Sequence, residues 1–234
     1  TSRKFREETG LFVADGTKLL QEAVRFFPGL DTVILSDGVE AETPAGVRRI
    51  RVPQDVMESI SPMQAPQGAL FLCRLPERKA FQPKRGMLLL DGIQDPGNLG
   101  TICRLADWFG IEDIICSTET ADIFNPKATQ ATMGAISRIR VHYTNLHDFL
   151  SQASTHSTPI YGTFLDGRNI YDRPLTPHGI IVMGNEGKGI SHEIESLVSD
   201  KLFIPSYPLD RPTTESLNVA VATAITCAEF RRRG

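Results

Sequence analysis

Apolar and polar positions alternate along the chain with two periods. Residues 11–14 (LFVA), 32–36 (TVILS), 48–52 and 68–75 (GALFLCRL) read as strands. Gly16 and Thr17 open a helix whose apolar positions Leu19, Leu20, Ala23, Val24 and Phe27 share one face, and Phe27-Pro28-Gly29 ends it. A short helix follows over 53–60, with Pro53 near its first turn. These elements make a small α/β unit. The stretch PERKAFQPKR (76–85) is polar, carries two prolines and is rich in Lys and Arg. It reads as a boundary between domains or as a plain solvated connection.

A second α/β unit follows. Runs at 87–92, 111–117, 139–143, 159–165, 179–184 and 201–205 read as strands, and 98–110, 126–133, 146–153, 190–198 and 216–230 as helices. Strands this apolar, alternating with helices, predict a mostly parallel sheet with helices on both faces. The predicted domains are 1–80 and 81–234. In 98–110 the residues Leu99, Ile102, Leu105, Ala106 and Phe109 should face the sheet, with Thr101, Arg104 and Trp108 on another face. In 216–230 the stripe Leu217, Val221, Ala224, Ile225, Ala228 is the expected inner face, with Ser216 and Asn218 in the first turn.

A 41% hydrophobic and 23% charged composition fits a globular protein, and a net charge of −3 argues against a nucleic-acid coating protein while leaving room for local basic patches. Three basic clusters stand out: Arg3, Lys4 and Arg6; Arg48, Arg49 and Arg51; Lys84 and Arg85. Each reads equally as an RNA contact or as solvated charge. Cys73, Cys103, Cys116 and Cys227 form no CxxC pair and sit beside no metal-spaced His, so they read as buried small hydrophobes in a reducing compartment, with no metal site. The first ten residues, TSRKFREETG, hold no apolar leader core, and no apolar run approaches the ~20 residues that span a bilayer. The expectation is a cytoplasmic protein without a membrane span.

Three stretches carry candidate chemistry. DPGNLGTICRLADWFG (95–110) starts a helix on flexible backbone and sets Arg104 near the space beyond the strand ends, where open α/β sheets bind ligands. Gly97 and Gly100 there permit close approach of a ligand, and Asn98 reads as a helix cap or a ligand contact. VMGNEGKGIS (182–191) leaves a strand into a loop with three glycines, with Glu186 at its tip. The glycine order is not that of a dinucleotide fingerprint, and no G-x-G-x-x-G follows the first strand, which argues against a dinucleotide enzyme. The third stretch, 204–234, opens its helix with SLN.

Together, DPGNLGTICRLADWFG, ATMGAISRIRV (131–141), VMGNEGKGIS and IP…SLNVAVATAI resemble the SpoU (TrmH) branch of the SPOUT class, RNA ribose 2′-O-methyltransferases that use S-adenosyl-L-methionine. The resemblance covers about residues 87–230 in the family's order, and the first unit is similar to the small ribosomal-protein-like RNA-binding domain that precedes many members. It implies an α/β fold with a C-terminal trefoil knot, a homodimer formed through the catalytic domain, and an RNA substrate, ribosomal rather than transfer RNA. It also implies cofactor contacts from Met183, Gly184, Asn185, Gly187, Ile204 and Leu217, and catalytic roles for Asn98, Arg104, Glu186, Ser216 and Asn218. Arg104 is then either the group that activates the 2′-hydroxyl or a binder of phosphate and developing oxyanion; a guanidinium is a poor base because it keeps its proton. The loop SYPLDRPTTE (206–215) departs from the family pattern: it is longer, rich in proline and lacks Gly. The rival reading is a non-catalytic RNA binder that retains the fold.

Overall fold

The computed structural model describes residues 2–77, 86–155, 157–208, 214 and 216–232. Residues 78–85 of the expected linker 76–85, with Lys84 and Arg85, and most of the loop 206–215 lie outside the described residues.

The chain builds two sheets. The first unit runs α1 (Arg3–Thr9), β1 (Leu11–Asp15), α2 (Thr17–Phe26), β2 (Leu30–Ser36), β3 (Arg48–Val52), α3 (Gln54–Ile60) and β4 (Ala69–Arg74). Its strand order is β1-β4-β2-β3, with β4 antiparallel to both neighbours and β3 parallel to β2. Phe12, Leu20, Val33, Leu35 and Phe71 form its core. Helix α1 was not among the expected elements. Its sequence RKFREET has one apolar residue, Phe5, which is exposed, while Arg6 is the buried one. Ser2 caps it through the Phe5 N–H.

The second unit runs β5 (Leu88–Asp91), α4 (Pro96–Trp108), β6 (Asp113–Cys116), α5 (Pro126–Ala131), β7 (Arg140–Tyr143), α6 (Leu146–Thr155), β8 (Ile160–Asn169), β9 (Ile180–Gly184), α7 (His192–Glu195), β10 (Asp200–Phe203) and α8 (Val219–Arg232). All six strands are parallel, in the order β10-β8-β9-β5-β6-β7. Alternate residues of β5 feed opposite faces: Leu88 and Leu90 pack with α4 and α8, Leu89 with α6 and α7. The predicted two-faced parallel sheet is the observed one.

Two expectations are corrected. Helix α8 begins at Val219, three residues later than the pattern suggested, because Asn218 accepts hydrogen bonds from the N–H groups of Ala220 (2.9 Å) and Val221 (3.3 Å) and so caps it. Ser216 and Asn218 therefore precede the helix. Its inner face is Val219, Ala220, Thr223, Thr226, Cys227, Glu229 and Phe230, whereas Leu217, Val221 and Ala228 are exposed and Ala224 and Ile225 half-buried. The expected stripe faces outward. Helix α4 behaves as predicted at Leu99, Ile102 and Ala106, all fully buried, with Thr101, Arg104 and Trp108 exposed.

The glycines of α4 serve packing. A methyl on Gly100 would stand 2.3 Å from the Ala128 carbonyl oxygen of α5, and one on Gly97 would stand 2.8 Å from Asp95 Oδ1. The expectation that they admit a ligand gives way to helix contact and cap geometry. The cap of α4 is Asp95, with Pro96 in the first turn, rather than Asn98.

Candidate active site

The site lies at the carboxyl ends of β5 and β9, which are neighbours at the point where the strand order reverses. Asp91 and Gly184 end the two strands side by side. The loops beyond them are fastened together. Asn185 Nδ2 donates to the Gly92 carbonyl (2.6 Å), and Asp91 Oδ2 accepts from the Ser191 N–H (2.8 Å). Asn185 also folds its own loop: its Oδ1 accepts from the N–H groups of Gly187 (2.9 Å) and Lys188 (3.0 Å), and its backbone pairs with Gly189 in both directions.

That fold dictates the glycines. A methyl on Gly184 would stand 2.2 Å from the Gly189 carbonyl carbon, so the loop closes only over glycine. Gly189 takes φ +71°, with open space where a side chain would be, and Gly187 is nearly as open.

Glu186 at the loop tip accepts from the backbone N–H of Gln94 (3.2 Å) and of Asp95 (3.2 Å) and from Asn98 Nδ2 (3.0 Å). Partial burial disfavours its charge, but the bonds from Asn98 and the backbone outweigh it and hold the carboxyl below its ordinary range. Asn98 Oδ1 accepts in turn from Asn218 Nδ2 (3.0 Å). One chain of hydrogen bonds thus joins all three predicted stretches, Asn218 to Asn98 to Glu186.

Asp95 caps α4 through the Asn98 N–H (2.8 Å) and meets Lys127 Nζ of α5 at 2.6 Å. The Lys127 bond first, and the Asn98 N–H second, lower the Asp95 carboxyl from its ordinary value. Sequence reasoning passed over Gln94, Asp95 and Lys127. The signal available was Asp-Pro, the N-cap and first-turn signature.

Arg104 stands six residues beyond Asn98 on the same helix, exposed and without a hydrogen-bond or ion-pair partner among the described residues. Its donors are free for a substrate. The Ser216 hydroxyl joins no bond in the network, and Leu217 is 48% exposed. Met183 points its side chain into the core, so only its backbone borders the loop. Ile204 is half-buried against the core cluster that includes Val219 and Ala220.

The basic clusters fare unevenly. Arg49 (2.8 Å) and Arg51 both pair with Glu40, Arg3 pairs with Glu7 (3.1 Å), and Arg6 is buried on Asp122. Arg48 is left exposed on β3. All four cysteines are buried and unpaired, as expected. Burial pushes the thiols of Cys73, Cys103 and Cys227 up to about 12 and that of Cys116 well upward. Among the described residues no group of His, Cys, Asp and Glu is arranged to hold a metal, and no helix is long and apolar enough to cross a membrane.

Comparison with known proteins matches residues 86–228 to the SpoU rRNA Methylase family and residues 1–70 to an MRM3-like substrate binding domain. The chain is 31% identical to the 23S rRNA (guanosine(2553)-2′-O)-methyltransferase RlmP of Bacillus subtilis, over 98% of this chain and 92% of that one. A TrmH-family structure from Porphyromonas gingivalis superposes with TM-score 0.88 at 38% identity, covering 100% and 94% of the two chains. An AdoMet-bound rRNA methyltransferase from Sinorhizobium meliloti gives TM-score 0.83 at 28% identity, covering 99% and 90%.

Proposed function

The chain belongs to the SpoU rRNA methylase family, and from that premise we propose that it transfers a methyl group from S-adenosyl-L-methionine to a ribose 2′-hydroxyl of ribosomal RNA. The observation that carries the site assignment is the Asn218–Asn98–Glu186 chain, which ties three distant stretches to the helix that presents Arg104.

The backbone at Gly187 and Gly189 is open, with no side chain standing within 3.8 Å of where a β-carbon would be, which leaves the loop's main chain accessible to a ligand. The backbone of Met183, Gly184, Asn185 and Gly187, with Ile204 and Leu217 as apolar walls, would hold the cofactor. When bound, it supplies an electrophilic methyl. The chain's own residues supply position. Glu186, already bound by three donors and held ionised, is a poor proton acceptor; its work is to fix the start of α4 and the Asn98 amide. Asn98, held at both ends of its side chain, is preorganised. Arg104 presents several N–H donors to a phosphate and to the negative charge that develops on the 2′-oxygen. Ser216 leads the segment that delivers Asn218.

The reading extends to assembly. Trp108 at the end of α4 is 82% exposed and Val221 in the first turn of α8 is 49% exposed. Large apolar side chains left outside on these two helices suit a homodimer contact through the catalytic unit. We read residues 1–80 as an RNA-binding domain and 81–234 as the catalytic domain with the family's trefoil knot. Four buried, unpaired cysteines suit a cytoplasmic location.

Methyl transfer from labelled S-adenosylmethionine to rRNA that lacks its own 2′-O-methylation tests the proposal. Label in one rRNA with the parent protein and none with Arg104→Ala is the expected result. Cofactor binding without methylation of any RNA points instead to a binder that keeps the fold.

A further inference from the structure

The sequence suggests two units strung on a linker, but the structure packs them together at two charged clasps and an apolar seam. The first clasp is Arg6, 6% exposed, whose Nη2 donates to Asp122 Oδ2 at 2.5 Å. Asp122 sits in the segment after β6, which is itself held: Tyr143 Oη donates to the Ala121 carbonyl (2.7 Å) and accepts from the Ile123 N–H (2.8 Å). The seam follows at once. Phe124 of the second unit packs against Phe12, a buried residue of the first unit's core, with ring centroids 4.7 Å apart and planes tilted by 43°, and so completes that core from outside.

The second clasp is Arg138. It donates to Glu22 of α2 (2.8 Å) and, through Nε and Nη2, to Asp107 of α4 (2.8–3.1 Å), while its guanidinium lies 4.9 Å over the Phe26 ring. At Gly134 the units approach so closely that a methyl would stand 2.7 Å from Glu22 Cβ. Arg138 therefore connects the first unit to the helix that carries Asn98 and Arg104. An Arg fork held by two carboxylates and stacked on a ring has few alternative geometries.

We propose that Arg6 and Arg138 are specificity determinants of the methyl transfer: they lock the first unit to the second as one rigid body, so that RNA held by the first reaches Arg104 in a fixed register. The inference rests on the methyltransferase reading above, but its structural half is testable without activity. Both residues act through alignment and touch neither the cofactor loop nor the Asn218–Asn98–Glu186 chain.

Spin labels on Ser59→Cys of α3 and Ser154→Cys of α6, in labelled protein diluted with unlabelled chain, report the distance between the units. The four native thiols are buried and stay unlabelled. The lock predicts one narrow distance distribution in the parent. It predicts a broad one when Glu22→Ala and Arg6→Met remove one partner of each clasp, with Met filling the space of the buried Arg6 stem. It predicts, in the same variant, kcat/KM for rRNA lower by roughly tenfold to a hundredfold, the scale that ~1 Å of misplacement costs, with S-adenosylhomocysteine affinity unchanged. A broad distribution in the parent overturns the lock. A narrow one in the variant overturns the role of the two arginines. A broad one with kcat/KM unchanged overturns the register. If the parent methylates no RNA, the functional reading fails while the distances still decide the lock.

Discussion

Helices α4 and α8 pack against one another on the same face of the sheet, yet they treat their apolar residues in opposite ways. In α4 the apolar stripe Leu99, Ile102, Ala106 is fully buried and the polar Thr101 and Arg104 face out. In α8 the buried face includes Thr223, Thr226 and Glu229, and the larger aliphatic Val221 is left outside. The threonines are satisfied within the helix: Thr223 donates to the Val219 carbonyl (2.7 Å) and Thr226 to that of Ala222 (2.9 Å). Small, self-satisfied residues allow close packing inside, which releases the larger aliphatics for another surface. A helix with apolar residues all round has two candidate inner faces, and its fold partner decides between them.

The largest effect is expected at the polar face of α4. Arg104→Ala should lower kcat by roughly 10²–10³-fold, the usual cost of losing one donor to a developing oxyanion, with S-adenosylhomocysteine binding intact by calorimetry. Next comes the outer face of α8. Val221→Asp should shift the protein to monomer in sedimentation, raising the dimer dissociation constant at least about a hundredfold, because an unpaired charge buried in an interface costs ~3 kcal/mol or more. A protein that sediments identically with Asp at this position has no partner on that face.

Packing of α4 on α5 is tested by Gly100→Ala. The added methyl meets the Ala128 carbonyl, and overpacking of this kind costs about 1–3 kcal/mol, seen as a lower midpoint in thermal or denaturant unfolding. Thr226→Val, on the inner face of α8, should cost no more than about 1 kcal/mol, the net worth of one hydrogen bond.

The smallest effect is the dependence on pH near neutrality. The folded Glu186 carboxyl titrates lower than the unfolded one, so its contribution is present above the ordinary glutamate range and lost as pH falls through its own lowered value. Glu186 should therefore add no limb to the pH–rate profile between about pH 6 and 9, since even an unperturbed Glu titrates near 4.3. A limb in that window that vanishes in Glu186→Gln would show the carboxylate acting as a base.

The same contrast explains what the sequence disclosed. Regular periods announced the strands and α4. Asn98, Glu186 and Asn218 were legible as motif residues, but their mutual bonds were not, because no spacing rule links positions about ninety to a hundred and twenty residues apart. Helix α1 escaped notice because its anchor is a charged residue whose partner, Asp122, belongs to the other unit. β8 runs on past Leu165 through the polar DGRN, where Leu202 and Phe203 of β10 pair with Arg168 and Asn169, and polarity alone does not mark an edge of that kind.

The antiparallel pairing of β1 with β4 has a consequence for synthesis. Leu11 finds Arg74, and β2 and β3 lie on the far side of β4. The first strand made in this sheet must therefore wait for the last. At ~5–20 residues per second on the ribosome, that delay is several seconds, during which the alternating apolar side of β1 has no sheet to join. Closure of this sheet is thus timed by translation of the segment around Cys73, and slowing codons placed after it, rather than before, should favour the yield of folded chain.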